Sequence, residues 1–193
     1  MSIERDEVCV LIPTLNEAPT IGDLVRGFKE RGYEHILVID GNSTDGTPEI
    51  ARAAGAVVRT QTGKGKGNAI LEALEIIDKP RVLMLDGDGT YSPDDAERML
   101  EPLGKGFDHV IGDRLACPEK GAFTRLNLLG NQILNHVFRV AHGKDLHDIL
   151  SGYRAFTLHS IRQMNLKEAG FEIETEMAVE AVRTGQRVAV VPV

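Results

Sequence analysis

The chain has 193 residues, of which 42% are apolar and 26% are charged, and its formal net charge is −7. This length and composition predict a single globular domain over residues 1–193, and no apolar run approaches the roughly 18 residues of a membrane-spanning helix. The acidic balance argues against a general nucleic-acid-binding surface. The first residues lack the basic and apolar regions of a signal peptide, so we expect a cytoplasmic protein.

Apolar β-type runs alternate with helical patterns along the chain. The runs cover residues 8–12, 36–39, 56–59, 82–85, 110–111 and 188–191. Helices are predicted from 19–20 to 32, over 47–54, over 67–77, after Ser92 as an N-cap, over 122–141 and over 173–184. This order predicts an α/β fold with a mostly parallel, Rossmann-like sheet that has helices on both faces and functional groups on the loops after its strands.

The two cysteines, Cys9 and Cys117, have neither the spacing of metal ligands nor that of a disulfide framework. We expect both to be reduced thiols. The six histidines are scattered, and no pair of them forms a convincing zinc site.

Two carboxylates, Asp86 and Asp88, follow the apolar run 82–85 on a glycine-rich turn. Parallel sheets bind ligands at the carboxyl ends of their strands, and two acidic side chains there suit a hard divalent cation that offsets the charge of a diphosphate. A plain acidic loop is the alternative. A calcium-binding EF-hand is rejected, because Tyr91 occupies the position that requires glycine and a β-type run enters the loop.

The loops after the first two strands read Pro13-Thr14-Leu15-Asn16-Glu17 and Asp40-Gly41-Asn42-Ser43-Thr44-Asp45-Gly46-Thr47. Both are expected at the sheet edge that carries Asp86 and Asp88, where Asp40 can accept hydrogen bonds from a base or a ribose. The triplet Asp45-Gly46-Thr47 is predicted to turn the chain and cap a helix. The glycine- and lysine-rich loop 63–69 looks like a phosphate cradle, with a solvated basic turn as the alternative.

Together these segments resemble the family 2 glycosyltransferases of GT-A fold, and within them the dolichyl-phosphate mannose and glucose synthases. The residue sequences of the loops at Asp40 and Asp86 are most similar to those of the archaeal-type synthases that start N-glycan assembly. Nearly the whole chain takes part in the resemblance. The matching segments, in chain order, are 13–17, 40–47, 64–69, 86–88, Gly112-Asp113-Arg114, Ser151-Gly152-Tyr153-Arg154 and Phe171-Glu172-Ile173-Glu174.

The resemblance implies inverting transfer of a hexose from a nucleotide-sugar donor to dolichyl or polyprenyl phosphate, for use in protein glycosylation. It implies Mg²⁺ or Mn²⁺ bound by Asp86 and Asp88, and an acceptor phosphate bound by Arg114 and Arg125. Asp88 and Arg114 are the implied catalytic residues. The implied nucleotide-sugar-binding residues are Pro13, Leu15, Glu17, Asp40, Lys66, Asp86 and Gly87. A phosphate monoester is largely ionised near neutral pH, so positioning of the reactants matters more than a strong general base.

Three departures from the family pattern bear on these roles. Thr90 stands where many mannose synthases carry a glutamine near the metal, and Asp113 replaces the common serine beside Arg114. The chain also stops at Val193, before the place where relatives continue into a basic loop over the diphosphate, so we expect a catalytic domain shortened at its C-terminus.

An apolar stripe runs along the predicted helix 122–141, with members three and four residues apart. We expect this stripe to pack against the core. In the alternative interpretation it lies in the membrane interface, and the protein is then peripheral at the cytoplasmic face of the membrane. The stripe comprises Phe123, Leu126, Leu129, Ile133, Val137 and Val140, widened by Leu128, Leu134 and Phe138.

Other functions stay open beside this one. A family 2 transferase acting on a saccharide hydroxyl would need a general base. A nucleotide-sugar-binding module would bind the donor without turnover. A sugar nucleotidyltransferase is disfavoured because its glycine-rich basic N-terminal loop is missing, whereas Arg114 and Arg125 favour a lipid phosphate as acceptor.

Overall fold

The computed structural model describes residues 3–116 and 125–193, and the side chains of the second range from residue 128 onward. Seven strands are present in these ranges: β1 Val8–Thr14, β2 His35–Asp40, β3 Val57–Thr60, β4 Arg81–Met84, β5 His109–Asp113, β6 Arg154–Thr157 and β7 Val188–Pro192. Seven α-helices accompany them: α1 Ile21–Glu30, α2 Thr47–Ala53, α3 Lys66–Ile76, α4 Ala96–Gly104, α5 Arg125–His142, α6 Leu158–Arg162 and α7 Ile173–Arg183.

The strands form one sheet in the order β3-β2-β1-β4-β6-β5-β7. All neighbours pair in parallel except β6, which is antiparallel to both β4 and β5. The predicted α/β fold with a mostly parallel sheet is therefore confirmed. The sequence prediction lacked β6 and the five-residue helix α6, because β6 has only four residues and begins with a charged one, Arg154.

Alternate residues of the central strand β1 enter two separate apolar clusters, as the period of a strand requires. Val10 and Ile12 pack with side chains of α1, α2 and α4 on one face of the sheet. Leu11 packs with side chains of α3, α6 and α7 on the other face. Helices thus cover both faces, and the polar loops at the ends of the strands are left to form a site.

The fourth predicted helix starts differently from expectation. Ser92 is an N-cap, since its hydroxyl accepts a hydrogen bond from the backbone N–H of Asp94 at 3.1 Å. The turn that it caps is a 3-10 helix, Pro93–Asp95, and the α-helix α4 begins only at Ala96.

Helix α5 contradicts the expectation that its apolar stripe packs against the core. Phe138 is buried, but five other members are between 47% and 72% exposed: Leu129, Ile133, Leu134, Val137 and Val140. Phe123 and the side chain of Leu126 lie outside the described residues. The residues that α5 turns toward the sheet include the polar Asn131. No helix in the described ranges is both long and apolar enough to cross a membrane.

Candidate active site

The predicted functional loops meet at one edge of the sheet. Thr14 and Asp40, the last residues of β1 and β2, are paired in register, and β4 ends toward the same edge, with Met84 opposite Leu11. Because β6 runs in the opposite direction, it starts at this same edge, with Arg154 opposite Met84. The loop before β6 therefore joins the loops that follow the parallel strands.

Asp40 is almost fully buried, and its carboxylate organises the loop that follows β2. It accepts hydrogen bonds from the backbone N–H of Ser43 at 2.9 Å, from the Ser43 hydroxyl at 2.6 Å and from the Thr14 hydroxyl at 3.3 Å. Pro13 is buried within β1, and Leu15, just beyond the strand, is 58% exposed. The structure thus brings together three of the residues predicted to bind the nucleotide.

The turn at Asp45 has the structural role predicted for it. One carboxylate oxygen of Asp45 accepts hydrogen bonds from the Thr47 hydroxyl at 2.6 Å and the Thr47 N–H at 3.1 Å, at the start of α2. The other accepts from the N–H of Ala18 at 3.0 Å. These bonds hold the pKa of Asp45 below its ordinary value and fix the loop after β1 to the loop after β2.

Three carboxylates place negative charge at this edge of the sheet: Glu17, Asp86 and Asp88. Burial, and after it the charges of Asp88 and Asp86, raises the pKa of Glu17 above its ordinary value. Gly87 allows this close approach, because a Cβ there would lie 2.8 Å from a methyl group of Thr14 and 3.3 Å from Cγ of Glu17. Carboxylates crowded in this way suit a divalent cation.

Lys66, the first residue of α3, is the cation next to these carboxylates. Its ammonium group forms ion pairs with both Asp86 and Glu174, and only 10% of its side chain is exposed. Burial by itself would lower the pKa of Lys66, but the charges of the two carboxylates leave it raised. Glu174 belongs to the segment 171–174 that entered the family resemblance, yet no role was predicted for it.

Two N–H groups of the loop 63–69, which was compared with a phosphate cradle, are bonded within the protein. The N–H groups of Gly67 and Asn68 donate to the carbonyl oxygen of Ala169 at 2.9 and 3.3 Å. Gly65 and Gly67 have to be glycines because a Cβ would lie 2.3 Å from that oxygen at Gly65 and 1.9 Å from the Glu168 oxygen at Gly67. Gly65 and Gly67 thus allow close contact with the segment before α7, and the Lys66 side chain reaches the Asp86 carboxylate.

The loop before β6 covers the other side of Asp86. A Cβ on Gly152 would lie 2.3 Å from Oδ2 of Asp86, so the backbone is almost in contact with that oxygen. The N–H of Gly152 donates to the Tyr91 hydroxyl at 2.9 Å, and that hydroxyl is 3.4 Å from the Ser151 hydroxyl. Sequence reasoning assigned no role to Tyr91, Ser151 or Gly152, although 151–154 was one of the matching segments.

Arg114, directly after β5, forms a two-point ion pair with Asp148. Its Nε and Nη2 donate to the two carboxylate oxygens at 2.7 and 2.9 Å, and Asn131 of α5 donates to the same carboxylate at 3.1 Å. Asp148 is fully buried, whereas 20% of the Arg114 side chain is exposed. Burial by itself would lower the pKa of Arg114, but Asp148 and, more weakly, Asp86 raise it.

The sequence also drew attention to Asp113, beside Arg114 in the chain, and to Arg125. Asp113 is buried, and its carboxylate accepts from the N–H of Leu115 at 2.9 Å and lies 3.3 Å from Nδ1 of His147. The Asp113 carboxylate therefore contacts its own loop and the loop between α5 and β6. Arg125 is the first residue of α5, but its side chain lies outside the described residues.

The carboxylates present fit a divalent cation that also binds a substrate phosphate. Among residues 3–116 and 125–193, no group of three or more acidic, histidine or cysteine side chains is placed to hold a metal by itself. Mg²⁺, however, is commonly held by one or two carboxylates together with phosphate oxygens. Asp86 and Asp88 would supply those carboxylates, and their charges contribute, after burial, to the raised pKa of Glu17.

Comparisons with known proteins agree with this geometry. A family model described as glycosyl transferase family 2 matches residues 9–165. The glycosyltransferase AglJ of Haloferax volcanii is 56% identical over 188 residues, which are 97% of this chain and 62% of that protein. A dolichyl-phosphate hexose transferase of the same organism is 32% identical over 97% of this chain and 82% of its own length.

Solved structures show the same fold. Mannosyl-3-phosphoglycerate synthase from Rubrobacter xylanophilus aligns with a TM-score of 0.79 and 26% identity, over 96% of this chain and 64% of that one. Glucosyl-3-phosphoglycerate synthase from Mycobacterium tuberculosis, in complex with Mn²⁺, UDP-glucose and phosphoglyceric acid, aligns with a TM-score of 0.81 and 23% identity, over 96% and 69%. These neighbours confirm the GT-A fold. The chain is a glycosyltransferase domain and belongs to glycosyl transferase family 2.

Proposed function

We propose that this domain transfers a hexose, with inversion, from a nucleotide sugar to a polyprenyl phosphate such as dolichyl phosphate. One observation carries the proposal: two kinds of charged group lie at one edge of the sheet. A carboxylate cluster there suits a metal bound to the donor diphosphate, and an arginine there suits an acceptor phosphate. The cluster contains Asp86 and Asp88, and the arginine is Arg114, whose raised pKa includes a contribution from the charge of Asp86.

The donor half of the site lies on β1, β2 and β4. Asp40 with Pro13 and Leu15 would bind the nucleoside, and Asp86 and Asp88 would hold Mg²⁺ or Mn²⁺. Bound there, the cation would stabilise the nucleoside diphosphate as it leaves. Solved structures of the same fold in complex with UDP-glucose and Mn²⁺ support this assignment.

The acceptor half lies at the end of β5. A guanidinium suits a phosphate because its N–H groups form a planar fork, and Asp148 fixes the orientation of the Arg114 side chain. An ionised phosphate oxygen is itself a nucleophile, so the residues of the site need to align it rather than deprotonate it. The similarity to a dolichyl-phosphate hexose transferase supports a lipid acceptor.

The exposed stripe of α5 supports an acceptor that is held in a membrane. The same helix places Asn131 on Asp148, and thus beside Arg114, while its opposite side exposes Leu129, Ile133 and Val137. An amphipathic helix of this kind lies in the interface with its apolar side toward the acyl chains. The arrangement would bring Arg114 close to the phosphate of an embedded lipid, with the protein peripheral at the cytoplasmic face.

The test is transfer of label from UDP-glucose, GDP-mannose or UDP-N-acetylglucosamine to a short polyprenyl phosphate, with and without Mn²⁺, counted in the organic extract. We expect metal-dependent label in the lipid that is lost in Asp88→Asn. Asp78→Asn, an equal change of charge on an exposed residue before β4, is the matched control and should keep the activity. Label found only in water-soluble product would favour a saccharide or a small phosphorylated acceptor, and donor binding without any product would favour a binding module.

A further inference from the structure

Each oxygen of the Asp86 carboxylate has a neighbour in the protein, and 30% of the side chain stays exposed. Oδ1 is paired with the Lys66 ammonium, and Oδ2 faces the backbone of Gly152. A cation that approaches the exposed part of Asp86 meets a carboxylate whose charge the Lys66 ammonium already offsets, so the two cations compete for it. Gly152 is held by its hydrogen bond to Tyr91, whereas Lys66 is the tip of a long, flexible side chain, so Lys66 is the neighbour that gives way.

Glu174 is a second carboxylate partner of Lys66, and a metal cation from solvent reaches it less easily than it reaches Asp86. Its side chain is 5% exposed, compared with 30% for Asp86, and it is fixed in the first turn of α7. A carboxylate buried to this extent needs a cation beside it, and Lys66 supplies that cation. Of the two ion pairs of Lys66, the pair with Glu174 is therefore the stable one. The pair with Asp86 is the one that an incoming cation can replace.

We propose that Lys66 is an internal counter-cation that competes with the divalent metal for Asp86, and that Glu174 is the positioning residue that retains Lys66 when Asp86 is released. In the absence of metal the ammonium group offsets the charge of Asp86 and keeps the crowded carboxylates together. Metal binding then costs the Lys66–Asp86 ion pair, which weakens binding of the free cation. This inference rests on the metal site of the proposed function.

The experiment is a titration with Mn²⁺ in the absence of donor and acceptor, with free Mn²⁺ followed by its electron paramagnetic resonance signal. Lys66→Met is compared with Lys64→Met, which removes the same charge from an exposed lysine of the same loop. We expect Lys66→Met to bind Mn²⁺ more than about threefold tighter than Lys64→Met. Glu174→Gln should bind more weakly than wild type, because Lys66 then has only Asp86 as a carboxylate partner.

A double variant, Lys66→Met with Glu174→Gln, guards against misfolding because it leaves no buried carboxylate without its cation. It should bind Mn²⁺ as tightly as Lys66→Met, with a cooperative thermal transition. Affinities of Lys66→Met and the double variant that are within threefold of Lys64→Met, or weaker, overturn the inference. If these affinities fail while metal-dependent lipid labelling is seen, the role of Lys66 is wrong and the proposed function stands. If labelling is not seen while the affinities follow the expected order, the proposed function is wrong and the role of Lys66 stands.

Discussion

Substitution of Gly152 by alanine tests whether the loop before β6 sets the position of the Asp86 carboxylate. The added Cβ would lie 2.3 Å from Oδ2 of Asp86, and ordinary contact begins at 3.4 Å. The carboxylate therefore has to move by about 1 Å, because Gly152 is held by the Tyr91 hydroxyl. A misplacement of about 1 Å in an active site costs on the order of 10²-fold in rate, so we expect kcat/KM for sugar transfer to fall by that factor.

The loss should be specific to the site. Gly152 does not have the left-handed backbone that requires glycine, so alanine is compatible with the main chain there, and overpacking should cost only about 1 kcal/mol of unfolding free energy. Gly130→Ala is the matched control, since a Cβ at that exposed position of α5 meets nothing within 4 Å. It should leave transfer unchanged and stabilise the helix by up to about 1 kcal/mol.

The measurements are steady-state transfer at saturating Mn²⁺, Mn²⁺ affinity and thermal unfolding for both variants. A Gly152→Ala variant that folds as wild type does and keeps the wild-type rate and metal affinity would show that Gly152 does not set the position of Asp86. A fall in rate accompanied by an equal loss of folded protein would show the same, since the loop would then act on stability and not on the carboxylate.

Three other predictions follow from the same structure. Burial, and after it the charge of the buried Arg154, holds the pKa of His109 well below 6.5. The contribution of neutral His109 to the free energy of unfolding is therefore fully present above pH 6.5 and falls below it, by at most about 1.4 kcal/mol per pH unit. Urea unfolding from pH 7.5 to 5 should show this slope, and His109→Asn should flatten it. Arg114→Lys loses the planar fork and should raise KM for the lipid phosphate about tenfold or more with little change in KM for the donor, as measured by steady-state kinetics. Replacing Val137 and Val140 together by serine should weaken sedimentation with anionic vesicles about tenfold, and Ile76→Ser, on an exposed apolar residue of α3, should not.

Most of the sheet could be predicted from the sequence because its strands are apolar runs that end in polar loops. β6 could not, since a buried Arg154 at its start breaks the apolar pattern, and the strand exists only through pairing with β4 and β5. The stripe on α5 shows the limit of periodicity. Apolar residues spaced three and four apart identify an apolar side of a helix. The spacing does not say whether that side packs against the protein core or faces a membrane.

The candidate site divides in a similar way. The positions of Asp40, Asp86 and Asp88 at one edge were predictable, because the carboxyl ends of parallel strands meet there. Partners that come from distant parts of the chain were not predictable. Glu174 on Lys66 is an example, because that contact depends on how α7 and the segment before it pack against α3.

The stretch from Asp148 to Arg154 links the two halves of the site. Arg154 is fully buried, and its guanidinium donates to the backbone carbonyls of Ile149 at 2.7 Å and Ser151 at 2.9 Å. One end of this stretch holds Arg114 through Asp148, and the other places Gly152 against Asp86. Because the buried Arg154 holds the backbone between these two ends, the core sets the distance between Arg114 and Asp86. In the proposed reaction Arg114 would hold the acceptor phosphate and Asp86 the metal of the donor, so a fixed distance between them would keep the two substrates aligned.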